Sequence, residues 1–388
     1  MRYLLHITHT HVETDARIMK ELEVIYPVAT EAGLGVAAIG LDTHAKANAQ
    51  FGSFDHLDIR SLRLAAGRLP RWLMGGRHLA MGIETLVRFV LLSFRLRPAV
   101  VHVHDALFLP IAWLISLMHR APLVYDAHEL ESDRNGYGKP MLKLMGFFEK
   151  LCWSRVRLFI SVSAAINEWY EKAYGPKTNI VVLNSPVVKV DPAAKRDAGG
   201  ADSPLRSRFG IAADRPLFVY LGILAYGRGL VPALEAFSRV GDEADFVCVG
   251  WGEYEKKIAE AAAHHPNIHL HEPIPHDQVV SFVADADFGV CLLENVSLSY
   301  YLALPNKVFE YAFAGLPILA SNFPELSRVI AQHDLGTTCE PEVDSIVQGI
   351  RGMLARGQDF QFKNLDELSW HSQAQKLRSA YRDLPGLS

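Results

Sequence analysis

Pro305-Asn306-Lys307-Val308-Phe309-Glu310-Tyr311-Ala312-Phe313-Ala314-Gly315-Leu316-Pro317-Ile318-Leu319-Ala320-Ser321 decides how this chain reads. Pro305 suits the first position of a helix, because its missing N–H would have no partner there. Asn306, Lys307 and Glu310 lie three and four apart and share one helical face, while Val308 and Ala312 turn toward a core. Gly315 is expected to end the helix, and residues 316–320 read as a buried strand. Free amides at a helix start attract anions. A cation beside them and a carboxylate one turn further in fit a phosphate-bearing ligand.

Outward from this stretch, strand and helix patterns alternate along the whole chain, the pattern of parallel sheets covered by helices. In the first half, residues 3–8, 35–40, 100–104, 123–125, 158–162 and 180–183 read as strands. Helices are expected near 15–31, 77–95, 108–119, 139–153 and 164–174. Residues 191–214 hold Asp191-Pro192 and Gly199-Gly200, which read as a linker. A second cycle follows, with strands at 217–221, 246–249, 268–271, 288–292 and 316–320, and a helical tail over 366–381. Open sheets of this kind bind ligands at the carboxyl ends of their strands.

The stretch 305–321 resembles the donor-site signature of the retaining glycosyltransferases of family 4, which have the GT-B fold. The resemblance continues in Ser297-Leu298-Ser299-Tyr300 and Phe323-Pro324-Glu325-Leu326. Tyr220-Leu221-Gly222 with Arg228-Gly229-Leu230 is similar to the start of the family's second domain, and Tyr125-Asp126-Ala127-His128-Glu129-Leu130 to a strand end of its first. The implied architecture is α/β: two Rossmann-like domains facing each other across a cleft, with a C-terminal helix crossing back to the first. Residues 1–190 would form the acceptor domain, 191–214 the linker, 215–365 the donor domain and 366–388 the returning helix.

The resemblance also implies roles. Glu310 would hold the ribose hydroxyls, Arg228 and Lys307 would neutralise the diphosphate, and His128 would sit near the reacting sugar. Gly222, Gly227, Gly250, Gly252 and Asn306 would line the donor site; His104, Asp105, Asp126 and His11 would lie on the acceptor side. The chain departs from the family in two places: Leu302 stands where many members carry a first glutamate, seven residues before Glu310, and Ile223 stands where relatives often have a first arginine, which leaves Arg228 as the phosphate cation of that loop.

Composition sets the remaining bounds. With 49% hydrophobic and 21% charged residues, the 388-residue chain is that of a globular protein of two domains. Four cysteines far apart read as reduced core thiols. The N-terminus has no signal-peptide pattern, so a cytoplasmic location is expected. Between Arg60 and Arg97 lie eight arginines interleaved with Trp72, Leu73, Phe89, Leu91, Leu92 and Phe94. Either a solvated helix face or a peripheral contact with the inner, anionic membrane face accounts for them. Nucleic acid is not indicated.

Other motifs weigh less. His102 and His104 point to one side of a strand, but a third metal ligand is not apparent. Asp285-Ala286-Asp287 matches a metal-holding pattern yet precedes a strand, where helix-end capping accounts for it better. No GxGxxG follows the first strand, so a nicotinamide site is unsupported. No metal or cofactor is therefore expected. The sequence reads as a hexosyltransferase using a UDP- or GDP-sugar and a hydroxyl of a glycan, lipid-linked or small-molecule acceptor, in cell-surface polysaccharide or glycoconjugate synthesis. A sugar-nucleotide epimerase and a non-catalytic nucleotide-binding paralogue are the alternatives.

Overall fold

The computed structural model describes residues 1–42, 56–68, 74–187, 204–385 and 387. Trp72 and Leu73, and the linker up to residue 203, lie outside the described residues. The chain divides into two compact units: residues 1–182 with 374–388, and residues 183–373.

In the first unit, seven parallel strands carry the order β3-β2-β1-β4-β5-β6-β7. They are β1 (Tyr3–Ile7), β2 (Gly35–Leu41), β3 (Asp58–Leu62), β4 (Pro98–Val103), β5 (Leu123–Ala127), β6 (Val156–Ser161) and β7 (Asn179–Val181). Between them run α1 (Ala16–Glu31), α2 (Met74–Leu96), α3 (Leu109–His119), α4 (Lys139–Cys152) and α5 (Ala164–Tyr174). Nearly every residue of β1, β2, β4 and β5 is buried, as expected for strands covered on both faces. Asp15 caps α1, its Oδ1 accepting from the amides of Arg17 and Ile18 at 3.1 and 3.2 Å. Ser163 caps α5 in the same way. Chain order reverses between β1 and β4, so the loops after these two strands diverge and leave a crevice.

The second unit repeats the plan with six parallel strands in the order β10-β9-β8-β11-β12-β13. These are β8 (Leu217–Leu221), β9 (Asp245–Val249), β10 (Ile268–His271), β11 (Phe288–Cys291), β12 (Ile318–Ser321) and β13 (Gly336–Cys339). Its helices are α6 (Pro204–Phe209), α7 (Leu230–Val240), α8 (Glu255–His264), α9 (Val279–Val283), α10 (Leu298–Tyr301), α11 (Lys307–Phe313), α12 (Pro324–His333), α13 (Val343–Arg356) and α14 (Leu365–Leu368). Phe218, Phe237, Phe246 and Phe288 form the aromatic centre of its core. Here the reversal falls between β8 and β11.

Residues 204–214, read as linker, begin with α6, which is tied down by the Asp285-Ala286-Asp287 pair. Asp285 Oδ2 accepts from Leu205 N at 2.8 Å, and Asp287 Oδ2 pairs with Arg206 at 2.7 Å. The tail, read as one helix, is two. Ser369 breaks it, and its Oγ caps α15 (Trp370–Arg382) by accepting from Ser372 N at 3.2 Å. From Ala374 onward the tail belongs to the first unit, where Leu377 and Tyr381 are fully buried. All four cysteines are buried and free. Among the described residues no helix is long and apolar enough to cross a membrane.

Candidate functional site

In the second unit, Gly222 follows β8 and Gly250 follows β9, and their loops pack backbone on backbone. Gly222 N donates to Val249 O at 3.0 Å, and Leu224 N to Trp251 O at 2.8 Å. A Cβ on Gly250 would stand 1.9 Å from the carbonyl oxygen of Gly222, and Gly250 has φ +151°. No other residue fits there. Gly250→Ala is expected to cost about 2–5 kcal/mol of stability through strain and overpacking. Urea unfolding measures it, and an unchanged midpoint would refute this packing. Gly252 sits against Leu224 in the same contact. Gly227 meets Val296 and Tyr300, while Glu294 fastens this loop: its N–H donates to Gly227 O at 3.0 Å and its Oε1 accepts from Gly229 N at 3.2 Å.

Two cations converge on this glycine-lined strand end. Lys307 Nζ lies 3.5 Å above the ring of Tyr220 and 3.9 Å from where a Cβ on Gly222 would stand. Arg228 lies against Tyr300, its Cζ 4.8 Å from the ring centre. Lys307 Nζ and Arg228 Nε are buried with no hydrogen-bond partner among the described residues. Burial pushes the Lys307 ammonium down to about 7, and the charge of Arg228 adds to the drop; Cys291 and Glu310 oppose it. Glu310 is 6% exposed and faces His276, whose Nδ1 is 3.7 Å from its Oε1.

The helix carrying these residues differs from its sequence reading. α11 begins at Lys307, with Asn306 as its cap residue making no side-chain cap bond, and Pro305 precedes it, its carbonyl accepting from Val308 N. All seven helix residues are buried, so no solvent face exists. The cation and the carboxylate lie within the fold. At seven residues the helix start is a minor source of positive potential, and the side-chain cations take its place. Gly315 ends the helix with φ +69°, as read. Leu302 directly follows α10 and is 9% exposed.

In the first unit, His128 leads inward to a buried polar cluster. Its side chain is 23% exposed, and its Nε2 is 3.1 Å from Asp126 Oδ2 and 3.3 Å from His104 Nδ1. Arg17 grips Asp126 through Nη2 at 2.9 Å and lies 3.0 Å from Glu21, with all three side chains buried. Burial acts against the Asp126 charge, but Arg17 and His128 hold its carboxyl well below the usual range. Burial raises the Glu21 carboxyl well above its usual value, with repulsion from Asp126 adding to it.

Missing from the sequence reading of His102 and His104 was His6, from neighbouring β1. Its Nδ1 is 2.8 Å from His104 Nε2, and the rings of His102 and His104 stack at 4.1 Å. His102 Nδ1 bonds the hydroxyl of Tyr381 on α15. These donors are close enough to hold a metal ion geometrically. Burial, then mutual repulsion, lowers the His6 ring well below its usual value and the His102 ring to about 3. Arg17 already balances Asp126 in this site.

Asp105 follows β4 with φ +146°, a strained value for a non-glycine residue. It is held there by bonds to Phe108 N at 3.0 Å and to His9 Nδ1 at 2.6 Å. His11 lies nearby in sequence, its Nδ1 buried without a hydrogen-bond partner among the described residues.

The structure therefore gathers Gly222, Gly227, Arg228, Gly250, Gly252, Lys307 and Glu310 around one strand end of the second unit. It gathers His104, Asp126 and His128 in the first. Sequence reasoning missed Tyr220, Tyr300, Glu294 and His276 in the second unit, and Arg17, Glu21, His6 and Tyr381 in the first. Tyr220 and Tyr300 stood within quoted motifs, but nothing in their spacing marks an aromatic as a seat for a cation.

Comparison with known proteins agrees with this fold. Residues 28–185 match the model of a glycosyl transferase 4-like domain, and residues 215–356 that of glycosyl transferases group 1. Glycogen synthase of Mycobacterium tuberculosis is 23% identical over 66% of this chain, and the match spans 60% of that protein's length. Sucrose-phosphate synthase from Thermosynechococcus elongatus superposes with a TM-score of 0.71 at 14% identity, over 98% of each chain. Anabaena Alr3699/HepE in complex with UDP-glucose gives 0.69 at 13% identity, over 99% of this chain and all of that one. Two Rossmann-like sheets with these matched domains in this order make the chain a member of the GT-B glycosyltransferases of the family 4 type.

Proposed function

We propose that the chain moves a hexose, with retention, from a UDP- or GDP-sugar to an acceptor hydroxyl. The observation that carries this is the pair of cations Lys307 and Arg228, whose buried Nζ and Nε lack hydrogen-bond partners among the described residues at the same strand end. An ammonium out of water without a counter-ion is costly, and a group so perturbed at a strand end marks a candidate site for an anion. A diphosphate supplies oxygens for both. As the C1–O bond to the diphosphate breaks, these cations meet charge that grows on the leaving oxygen, the most effective place for fixed positive charge. The acceptor oxygen forms the new bond on the same face, and its proton passes to the departing phosphate. Glu310 accepts hydrogen bonds from the ribose hydroxyls. Arg228 and Lys307 do the electrostatic work that a divalent ion does elsewhere, so a chelator is expected to leave the rate unchanged.

The first unit takes the acceptor, with His128 near the reacting sugar and Asp126 fixing its ring. Acceptors are hydroxyls of glycans, lipid-linked or small molecules, and the setting is the cytoplasm. The Anabaena neighbour holding UDP-glucose supports UDP as the first nucleotide to try.

A thermal-shift panel of UDP, GDP, ADP and their sugars tests the reading. A ligand at 100 times its Kd adds about 2.7 kcal/mol of stability. Glu310→Ala should lower kcat/KM by on the order of tenfold to a hundredfold, since it strips charged hydrogen bonds from the ribose. A Glu310→Ala protein with unchanged kcat/KM would contradict the donor assignment. Fast turnover of nucleotide sugar alone, without acceptor, would favour an epimerase instead.

A further inference from the structure

The outward side of α2 is apolar where a solvated helix would be polar. Leu79, Ile83, Leu86, Val87, Leu91 and Phe94 are all exposed, Leu91 by 60%. Their spacing keeps them on one side of the helix, opposite the buried Thr85, Phe89, Ser93 and Leu96. Three arginines of this region, prominent in sequence, are neutralised by neighbouring acids. Arg60 pairs with Asp58, Arg63 with Asp42 and Arg88 with Glu84.

The patch continues onto the neighbouring helices. α3 packs against both α2 and α4 and exposes Leu117 and Met118. α4 exposes Met141, Leu144, Phe147 and Leu151, with Phe147 at 58%. Eighteen large hydrophobic side chains are exposed among the described residues, and twelve lie on these three adjacent helices. So high a concentration marks a docking surface, whereas single exposed apolar residues mark nothing.

Charge identifies the occupant. Lys139, Lys143 and Lys150 are exposed along one side of α4, next to its apolar stripe, and Arg95, Arg97 and Arg120 are exposed where α2 and α3 end. No acid among the described residues of the three helices is exposed: Glu84 is paired and partly covered, and Glu149 is buried, accepting from the hydroxyls of Tyr125 and Tyr170. Two copies of this face would set cation against cation. A surface of anionic headgroups over acyl chains satisfies both the apolar stripes and the cations.

We infer that the α2–α3–α4 face of the first unit lies on an anionic lipid bilayer, with Leu91, Phe94 and Phe147 entering the headgroup boundary and the α4 lysines meeting lipid phosphates. This goes beyond the nucleotide reading and does not depend on it.

The test is co-sedimentation of the full chain with vesicles of phosphatidylcholine, with or without about 30 mol % phosphatidylglycerol. The wild type is expected to pellet with the anionic vesicles and to be released as salt rises from about 0.05 to 0.5 M. Leu91→Glu with Phe147→Glu should lower the partition coefficient at least about tenfold, since each places a charge in the apolar boundary. Lys143→Glu with Lys150→Glu should lose at least about tenfold on anionic vesicles. All these positions are exposed, and unchanged circular dichroism melting would show the variants folded. Three results would overturn the inference: wild-type protein left in solution with both vesicle types, unaltered vesicle binding by folded Leu91→Glu/Phe147→Glu protein, or a dimer that this variant dissociates while no vesicles bind.

Discussion

Lys307→Met should abolish stabilisation by nucleotide and yet raise the melting temperature of the free protein. The ammonium is buried over Tyr220 without a hydrogen-bond partner, and its drop from the usual 10.5 to about 7 corresponds to about 5 kcal/mol at neutral pH. Its folded value lies below its unfolded one, so the folded state binds fewer protons. The cost is absent above pH 10.5, grows as pH falls, and is complete below about 7. Methionine fills much the same volume without charge, and its sulfur packs well on an aromatic ring. After loss of the cation–ring contact, a net gain of about 1–3 kcal/mol is expected. Catalysis moves the other way. Losing a cation aimed at the leaving group costs on the order of 10²–10³ in kcat, or about 2.7–4 kcal/mol. Thermal unfolding with and without UDP, together with initial rates, checks both halves. A variant that melts lower and keeps its nucleotide shift would contradict the assignment.

The second large effect belongs to the first unit. Arg17→Met leaves Asp126 charged and buried without its main partner, which is expected to destabilise the fold by about 3–5 kcal/mol. The pH dependence carries the diagnosis. In the wild type the Asp126 carboxyl is depressed, so its contribution is present above the unfolded carboxylate value and lost as pH falls. Without Arg17, burial raises that carboxyl, and the variant should regain stability between about pH 7 and 5. Urea unfolding at both pH values measures this. Arg17→Met with Asp126→Asn should recover part of the loss, and failure to recover would show that the guanidinium acts mainly through its bond to the Val182 carbonyl.

The fold was largely legible, because buried parallel strands write themselves as apolar runs. β8, central in its sheet, begins and ends where its run does. The two strands that were missed are edge strands. β3 is Asp-Ile-Arg-Ser-Leu, only partly buried throughout, and β13 is Gly-Thr-Thr-Cys. With one side unpaired, an edge strand needs no continuous hydrophobic run, and hence leaves no such signal.

The site was legible only where glycines and charges cluster in sequence. His6 and Asp126 lie in β1 and β5, His104 directly follows β4 between them, and Tyr381 comes from α15, so their meeting depends on strand order that no local spacing contains. Which side of α2 faces outward was left open in sequence for a related reason. Apolar residues of α2 fall on its core side and its outward side alike, and only its packing against α3 tells them apart.

The buried Lys307 amine, lowered to about 7 and so largely neutral at pH 8, is expected to take up a proton when a diphosphate arrives. Isothermal titration of UDP or GDP at pH 8, in buffers of different ionisation heat, counts that proton directly. Uptake should approach one proton per nucleotide bound, fall toward zero below pH 6, and be absent from any residual binding by Lys307→Met. Binding by the wild type with no proton uptake at pH 8 would contradict it.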